Sequence, residues 1–216
     1  MTKKEEWLAG TRSAVPIMLG YVPVGIAYGV MARQAGLNTW QTVLMSLTVY
    51  GGASEMMAAG MVAQGAAVLT IVLTTFILNL RHIIMSTCVF NQMQGGRLPV
   101  RMLAAFGVTD ETFAVYTTTA NAPRTPRYFF SMALCSYLSW ALGSWLGAIA
   151  TGLLPPLITA ALGISLYAMF IGLLMPGLHG NGRLAALVVL TALCNTVLCN
   201  VVQLDSGWSM LSLIHI

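Results

Sequence analysis

The sequence predicts an all-α membrane protein: a polytopic helical bundle with discontinuous or re-entrant helices near Tyr21–Val24, Gly51–Ser54 and Gly107–Thr109. Three observations lead there. Of the 216 residues, 57% are hydrophobic and only 7% charged, and the mean hydropathy is +0.80, whereas soluble domains carry about 25% charged residues. The apolar runs are of helix length and lack the ten-residue alternation of barrel strands. Finally, Glu55, Asp110 and Glu111 stand inside such runs just after glycine-marked breaks, and Arg81 lies deep in another. Ionisable residues and irregular backbone persist at that depth only where they face protein or water.

The same inventory narrows the function. A net charge of +4 is modest, comes from flanks and loops, and forms no basic stripe, so nucleic acid is not an expected partner. Cys88, Cys135, Cys194 and Cys199 sit in apolar segments without a Cys-x-x-Cys pair and read as small buried hydrophobes. His82, His179 and His215 are scattered, so neither a metal site nor any other cofactor is expected. No Gly-x-Ser-x-Gly or His-Glu-x-x-His motif marks an intramembrane enzyme.

In chain order, Pro16 and Pro23 interrupt the first apolar run and no clean cleavage site follows, which argues against a signal peptide. Residues 1–14 are expected as a cytoplasmic tail, 15–203 as a single transmembrane transport domain, and 204–216 as a short C-terminal tail. Within Val15–Met31, Pro23 removes one ladder hydrogen bond and crowds the preceding turn, which predicts a kink or break. Gly25 and Gly29 there, like Gly143 and Gly147 in Tyr128–Gly152, form small-residue faces for helix docking, one of them expected to receive a separate small subunit. In 42–60, Tyr50, Gly51 and Gly52 precede Ser54, a potential N-cap, so a half-helix restarts there with Glu55 in its first turn.

The segment 66–90 is long enough to span a bilayer yet carries Asn79, Arg81 and His82. An Arg near mid-membrane costs on the order of 3 kcal/mol or more unless it is paired. In 102–119, Gly107 breaks the run, Thr109 suits an N-cap, and Asp110 and Glu111 fall in the following first turn. Acids there also suit plain capping. Leu153–Met175 and Leu184–Val202 are further expected spans. If one of 42–60 and 66–90 re-enters, and 102–119 does too, then Lys3, Lys4, Arg12, Arg97, Arg101, Arg124, Arg127 and Arg183 all fall on the cytoplasmic side. Arg33 is the exception.

Discontinuous helices with ionisable residues near the bilayer centre are the means by which secondary transporters hold substrates. Half-helix N-termini offer N–H groups to a carboxylate, and acids can hold an ammonium or a proton. Tyr50, Ser54, Glu55, Asn79, Arg81, His82, Thr109, Asp110 and Glu111 are therefore the candidate substrate-binding or coupling residues. Pro23, Gly51, Gly52 and Gly107 mark the helix breaks. The plain alternative is a structural ion pair, such as Arg81 with Asp110, that only fixes the bundle.

The stretches Pro16-Ile-Met-Leu-Gly-Tyr-Val-Pro-Val-Gly-Ile-Ala-Tyr-Gly, Tyr50-Gly-Gly-Ala-Ser, Asn79-Leu-Arg-His and Thr109-Asp-Glu-Thr-Phe-Ala resemble, in that order, the AzlC family. These are the large subunits of bacterial branched-chain amino-acid exporters, which work with a small membrane subunit of the AzlD family. The resemblance implies a multi-pass protein of the bacterial inner membrane that exports leucine, isoleucine, valine or methionine, driven by the proton gradient, with lipid and an AzlD-type subunit as partners. Two departures stand out: relatives usually have Gln where this chain has Glu55, and they continue into a further apolar helix after Gly207-Trp208, so a truncated C-terminus is expected. The competing classes are a membrane subunit that organises a partner without transporting, a channel, and a carrier for another small zwitterion or organic acid.

Overall fold

The computed structural model describes residues 2–119, 122–153 and 182–200, with isolated positions between 155 and 178. The chain divides into two compact units, Met1–Leu166 and Tyr167–Ile216. In the second, the helix Gly182–Asn200 matches the span expected at Leu184–Val202. Most of the span expected at Leu153–Met175, together with His179, His215 and the tail 204–216, lies outside the described residues.

The first unit is built from α1 (Lys3–Gln34), α2 (Thr39–Val49), α3 (Gly52–Ala63), α4 (Val68–Asn79), α5 (Arg81–Gln92), α6 (Leu98–Phe106), α7 (Asp110–Thr118) and α8 (Pro126–Ala150). Among the described residues, three stretches are long and apolar enough to cross a membrane: α1, α8, and α4 with α5 taken together as Val68–Gln92. Leu80 joins the last two with helical dihedrals, φ −57° and ψ −29°, so the chain keeps its direction there.

Helix α1 starts earlier than the apolar pattern does. Thr2 and Glu5 form a capping box, and residues 3–14, expected as a tail, are the first turns of the helix. The break expected at Tyr21–Val24 is absent, since α1 runs on through both Pro16 and Pro23. A proline inside a helix removes one ladder bond at each site. Here the turns on either side are held by buried contacts of Ile17, Tyr21, Val24 and Tyr28, which outweigh that loss.

Those contacts are chiefly with α8. Glu6 meets Arg127 at 3.7 Å, the Trp7 and Phe130 rings lie 6.1 Å apart, and the Tyr128 hydroxyl donates to Ser13 at 2.8 Å. Further along, a Cβ added at Gly25 would sit 2.9 Å from the Trp140 carbonyl oxygen, and one at Gly147 would sit 2.8 Å from Ile26 Cα. Residue numbers rise together on both helices, so α1 and α8 are parallel. The two small-residue faces therefore dock on each other. This corrects the expectation that one of them receives a separate subunit.

The direction of every other element follows from this pair. The α1–α2 turn lies at the C-terminal end of α1. Helix α2 then runs back, placing Thr42 at Tyr28 (3.0 Å), Ser46 at Ser144 (2.8 Å) and Leu47 at Tyr137 (2.8 Å). At the opposite end, Gln94 N–H donates to the Arg124 carbonyl at 2.6 Å, and Gly96 lies against Pro126. Helix α5 therefore finishes beside the start of α8, and α4 begins near the far face. Since α3 leads into α4, α2 and α3 form a hairpin that enters from the far face, turns at Tyr50–Gly51, and returns.

Helices α6 and α7 do the reverse. From Gly96 beside Pro126, α6 rises until Gly107 packs on Ala133 and Phe106 reaches Tyr137, with rings 5.8 Å apart. Helix α7 then descends until Tyr116 meets Tyr128 and Phe129, with rings 6.2 and 5.1 Å apart. Each half-helix has 9 residues, about 14 Å, roughly half of a bilayer core. Both interruptions expected at Gly51–Ser54 and Gly107–Thr109 are thus present, as re-entrant tips. Lys3, Lys4, Arg12, Arg97, Arg101, Arg124 and Arg127 all lie toward the end where α1 and α8 begin, and Arg33 lies at the other.

Two predictions follow from this architecture. Gly147→Ala forces a methyl into the Ile26 backbone and costs about 1–3 kcal/mol, a drop of roughly 2–12 °C in detergent at about 2–4 °C per kcal/mol. Gly60→Ala, where nothing lies within 4 Å, raises the melting temperature slightly, because alanine is the better helix former by about 1 kcal/mol. Separately, cysteines placed at Gln94 and Ala122 are labelled by an impermeant thiol reagent from one side of the membrane, and cysteines at Gln34 and Gln64 from the other. Opposite sidedness for Gln94 and Ala122 would show that 98–118 crosses fully.

Candidate functional site

Three backbone irregularities meet at the level of Tyr21. At the first tip, Tyr50 ends α2 in the left-handed conformation, φ 46° and ψ 51°, which non-glycine residues seldom adopt. Gly52 opens α3 beneath the Trp140 ring, where a Cβ would lie 2.9 Å from the indole edge. The N-cap of α3 is Gly51, not Ser54. Ser54 Oγ instead donates to the Gly51 carbonyl at 2.8 Å. Glu55 Oε1 accepts the Gly51 N–H at 2.9 Å, so the carboxylate satisfies the donor that the restarted helix leaves free. Trp140 Nε1–H donates to the same carboxylate, at 3.2 and 3.3 Å to its two oxygens, and Glu55 is fully buried.

At the second tip, Thr109 caps α7 as expected. It forms a capping box with Thr112, whose hydroxyl also donates to the Gly107 carbonyl at 2.9 Å. Because these threonines do the capping, the two acids are free for other partners. Asp110 Oδ2 lies 3.0 Å from Arg81 NH2. Glu111 Oε2 accepts from the Tyr21 hydroxyl at 2.6 Å, and the same hydroxyl lies 2.7 Å from Thr109 Oγ1.

The third irregularity is the Asn79–Arg81 step of the α4–α5 span. His82 Nδ1 lies 3.2 Å from the Asn79 carbonyl oxygen. Asn79 Oδ1 faces the first tip, 3.5 Å from where a Cβ on Gly51 would be. Among the described residues it is buried without a hydrogen-bond partner, as is Arg81 Nε. Buried polar atoms are nearly always satisfied, by protein or by ordered water. A cluster of unmet donors and acceptors beside an ion pair is therefore a place where another polar molecule has partners waiting.

The structure thus brings Tyr50, Asn79, Arg81, Thr109, Asp110 and Glu111 around one meeting point of the two tips and the central span. Ser54 turns back onto its own hairpin, and Glu55 lies on the Trp140 side. His82 is tied to the backbone. Among the described residues no basic group lies within 4 Å of Glu55 or Glu111, whereas Asp110 is paired. No group of metal-ligating side chains is present among those residues, and Cys88, Cys135 and Cys194 are half-buried thiols.

Sequence reasoning missed the aromatic frame. Tyr21 was singled out only as a break, and Tyr137 and Trp140 not at all. Tyr21 packs edge-on to Trp140 at 5.3 Å, and Tyr50 edge-on to Tyr137 at 4.9 Å. The signal was present in α8, whose Trp140 sits mid-span. Tryptophan and tyrosine normally mark the interfaces of a membrane helix, and a buried indole N–H needs an acceptor.

Residues 16–154 match the AzlC protein family. A membrane protein of Archaeoglobus fulgidus is 33% identical over 188 residues, 86% of this chain and 82% of that relative. The inner membrane protein YgaZ of Escherichia coli is 30% identical, over 78% of this chain and 72% of its own length. The branched-chain amino acid transport protein AzlC of Bacillus subtilis is 27% identical over 69% of this chain, which spans 61% of that relative. No solved structure matches. With a family match over most of the chain, and on the motifs that form both re-entrant tips and the step between them, this protein is a member of the AzlC family.

Proposed function

We propose that this chain is the large subunit of a two-component secondary carrier that exports branched-chain amino acids, and methionine, from the cytoplasm, coupled to protons. The observation that carries this reading is the Arg81–Asp110 pair among unmet polar atoms at the meeting of two helix breaks. An ion pair is a template for a zwitterion. The substrate carboxylate takes the Arg81 guanidinium, whose Nε is still unpaired, and the ammonium takes Asp110 and the waiting Asn79 Oδ1. The apolar side chain then faces Tyr50, Phe106 and Tyr137, which are in mutual ring contact. The similarity to the branched-chain amino acid transport protein AzlC of Bacillus subtilis supports this substrate class.

In the proposed orientation the N-terminus is cytoplasmic, because the basic residues gather at that end and flanking Lys and Arg favour the cytoplasmic side. The AzlD-type subunit docks on the α4–α5 face. There Val68, Phe76 and Ile84 are 76%, 62% and 70% exposed, and the α1–α8 glycines are already used. A scaffold that transports nothing is the second reading, favoured only by the ion pair being complete within the chain.

Two expectations test this. Arg81→Lys replaces a planar two-pronged donor with a point charge. Losing one charge-assisted hydrogen bond, about 1.5 kcal/mol or more, cuts efflux of leucine from dipeptide-loaded cells by about tenfold or more. Asp110→Asn leaves Arg81 unpaired near mid-membrane and is equally damaging. Wild-type efflux in both variants would reduce the pair to a structural fixture. A cysteine at Ile84 should cross-link to a co-expressed AzlD-type subunit, and one at Gly147 should not; the reverse pattern would place the partner elsewhere.

A further inference from the structure

Two buried carboxyls, Glu55 and Glu111, lack a basic partner among the described residues, and their hydrogen-bond partners differ in kind. We propose that Glu111 is the group that takes up and releases the coupled proton, through Tyr21 and Thr109, while Glu55 is a fixed structural carboxylate. This rests on the carrier reading above and names the proton site within it.

The argument is one of donors and acceptors. Glu55 is held by the Gly51 N–H (2.9 Å) and by Trp140 Nε1–H (3.2 and 3.3 Å). Both groups can donate but never accept. A proton on this carboxyl would meet donors and find no acceptor, whereas the carboxylate uses both. A place in the first helical turn is common to both acids and does not separate them; what sets Glu55 apart is that its partners offer an added proton no acceptor.

Besides a backbone N–H, Glu111 is held by the Tyr21 and Thr109 hydroxyls, which donate or accept as required. With Glu111 ionised, Thr109 Oγ1–H donates to the Tyr21 oxygen and the Tyr21 hydroxyl donates to Glu111 Oε2, at 2.7 and 2.6 Å. When a proton arrives, one O–H bond forms on Glu111 and the row reverses. Glu111 then donates to Tyr21, Tyr21 donates to Thr109, and the Thr109 hydroxyl turns to Thr112 Oγ1 at 3.3 Å. No partner is lost in either state, and nothing but the proton changes place; its release breaks the same O–H bond.

The other groups around Glu111 leave it as the carboxyl free to change. Helix α1 presents Tyr21, and the end of α2 presents Tyr50, whose hydroxyl faces Tyr21 and Glu111. On α7 itself Asp110 is paired with Arg81 of α5 at 3.0 Å. The adjacent His82 is tied to Asn79. From α8, Trp140 covers the Tyr21 ring and does not titrate. Helix α7 leads from Glu111 to the face where α1 and α8 begin, so the hairpin that carries the acid also borders one membrane surface.

The test reads the carboxyl directly. Infrared difference spectra of the full chain in lipid, recorded across a pH step, should show the band of a protonated carboxyl in wild type and in Glu55→Gln, and lose it in Glu111→Gln. Tyr21→Phe should shift the midpoint of that band. A band that survives Glu111→Gln, that vanishes in Glu55→Gln, or that is absent from wild type overturns the assignment. In liposomes that hold this chain together with its AzlD-type subunit, leucine flux should respond to an imposed pH gradient in wild type and Glu55→Gln, with that response at least tenfold weaker in Glu111→Gln. If wild type carries no leucine at all, the carrier reading fails, while the infrared result still decides which carboxyl titrates.

Discussion

Everything in the first unit hangs on the backbone contact between α1 and α8. Gly25, Gly29, Gly143 and Gly147 let two long helices approach until each presses on the other's carbonyls. In a bilayer, where burying apolar surface gains little, such close packing is a principal source of helix association. The parallel arrangement it imposes puts Tyr21, Tyr28 and Trp140 in one layer, and that layer is the floor on which both hairpin tips rest.

A re-entrant tip is costly in a membrane, because its free N–H and C=O groups have no water to bond. This chain meets the requirement with short polar side chains next to each break. Ser54 and Glu55 serve the first tip, and Thr109 and Thr112 the second. The Tyr50, Phe106 and Tyr137 rings then pack against one another beside the tips. The order of a span followed by a hairpin occurs twice, as α1 with α2–α3 and as α4–α5 with α6–α7, with direction reversed. Inverted repeats of this type place their binding residues at the repeat interface, which is where Asn79, Arg81 and Asp110 lie.

Much of this was legible in the residues. Glycines beside Ser54 and Thr109 inside apolar runs announced both tips, because no straight membrane helix needs a cap at mid-depth. The charges Glu55, Arg81, Asp110 and Glu111 were visible for the same reason. Pro23 misled, since one missing hydrogen bond is a local quantity whereas the packing that holds α1 straight comes from residues more than a hundred positions away. Gly143 and Gly147 misled in the same way: a small-residue face says that a helix docks there but not which one. The roles of Tyr21 and Trp140 were hidden because an aromatic residue in a hydrophobic span looks like any other apolar residue until its polar atom is seen to have a partner.

The α1–α8 pairing also bears on how the chain is made. The partners are separated by nearly the whole of the first unit, and a ribosome adds about 5–20 residues per second. Helix α1 therefore waits for roughly 5–20 s in the bilayer with its glycine face unmatched. Over that interval neither hairpin has its floor, and each half-helix is too short to sit across the membrane alone. Assembly around the two tips is thus governed by the arrival of α8, and a substitution that slows the docking of α8 lengthens the period in which Glu55 and Glu111 lie unshielded, whatever it does to the finished protein.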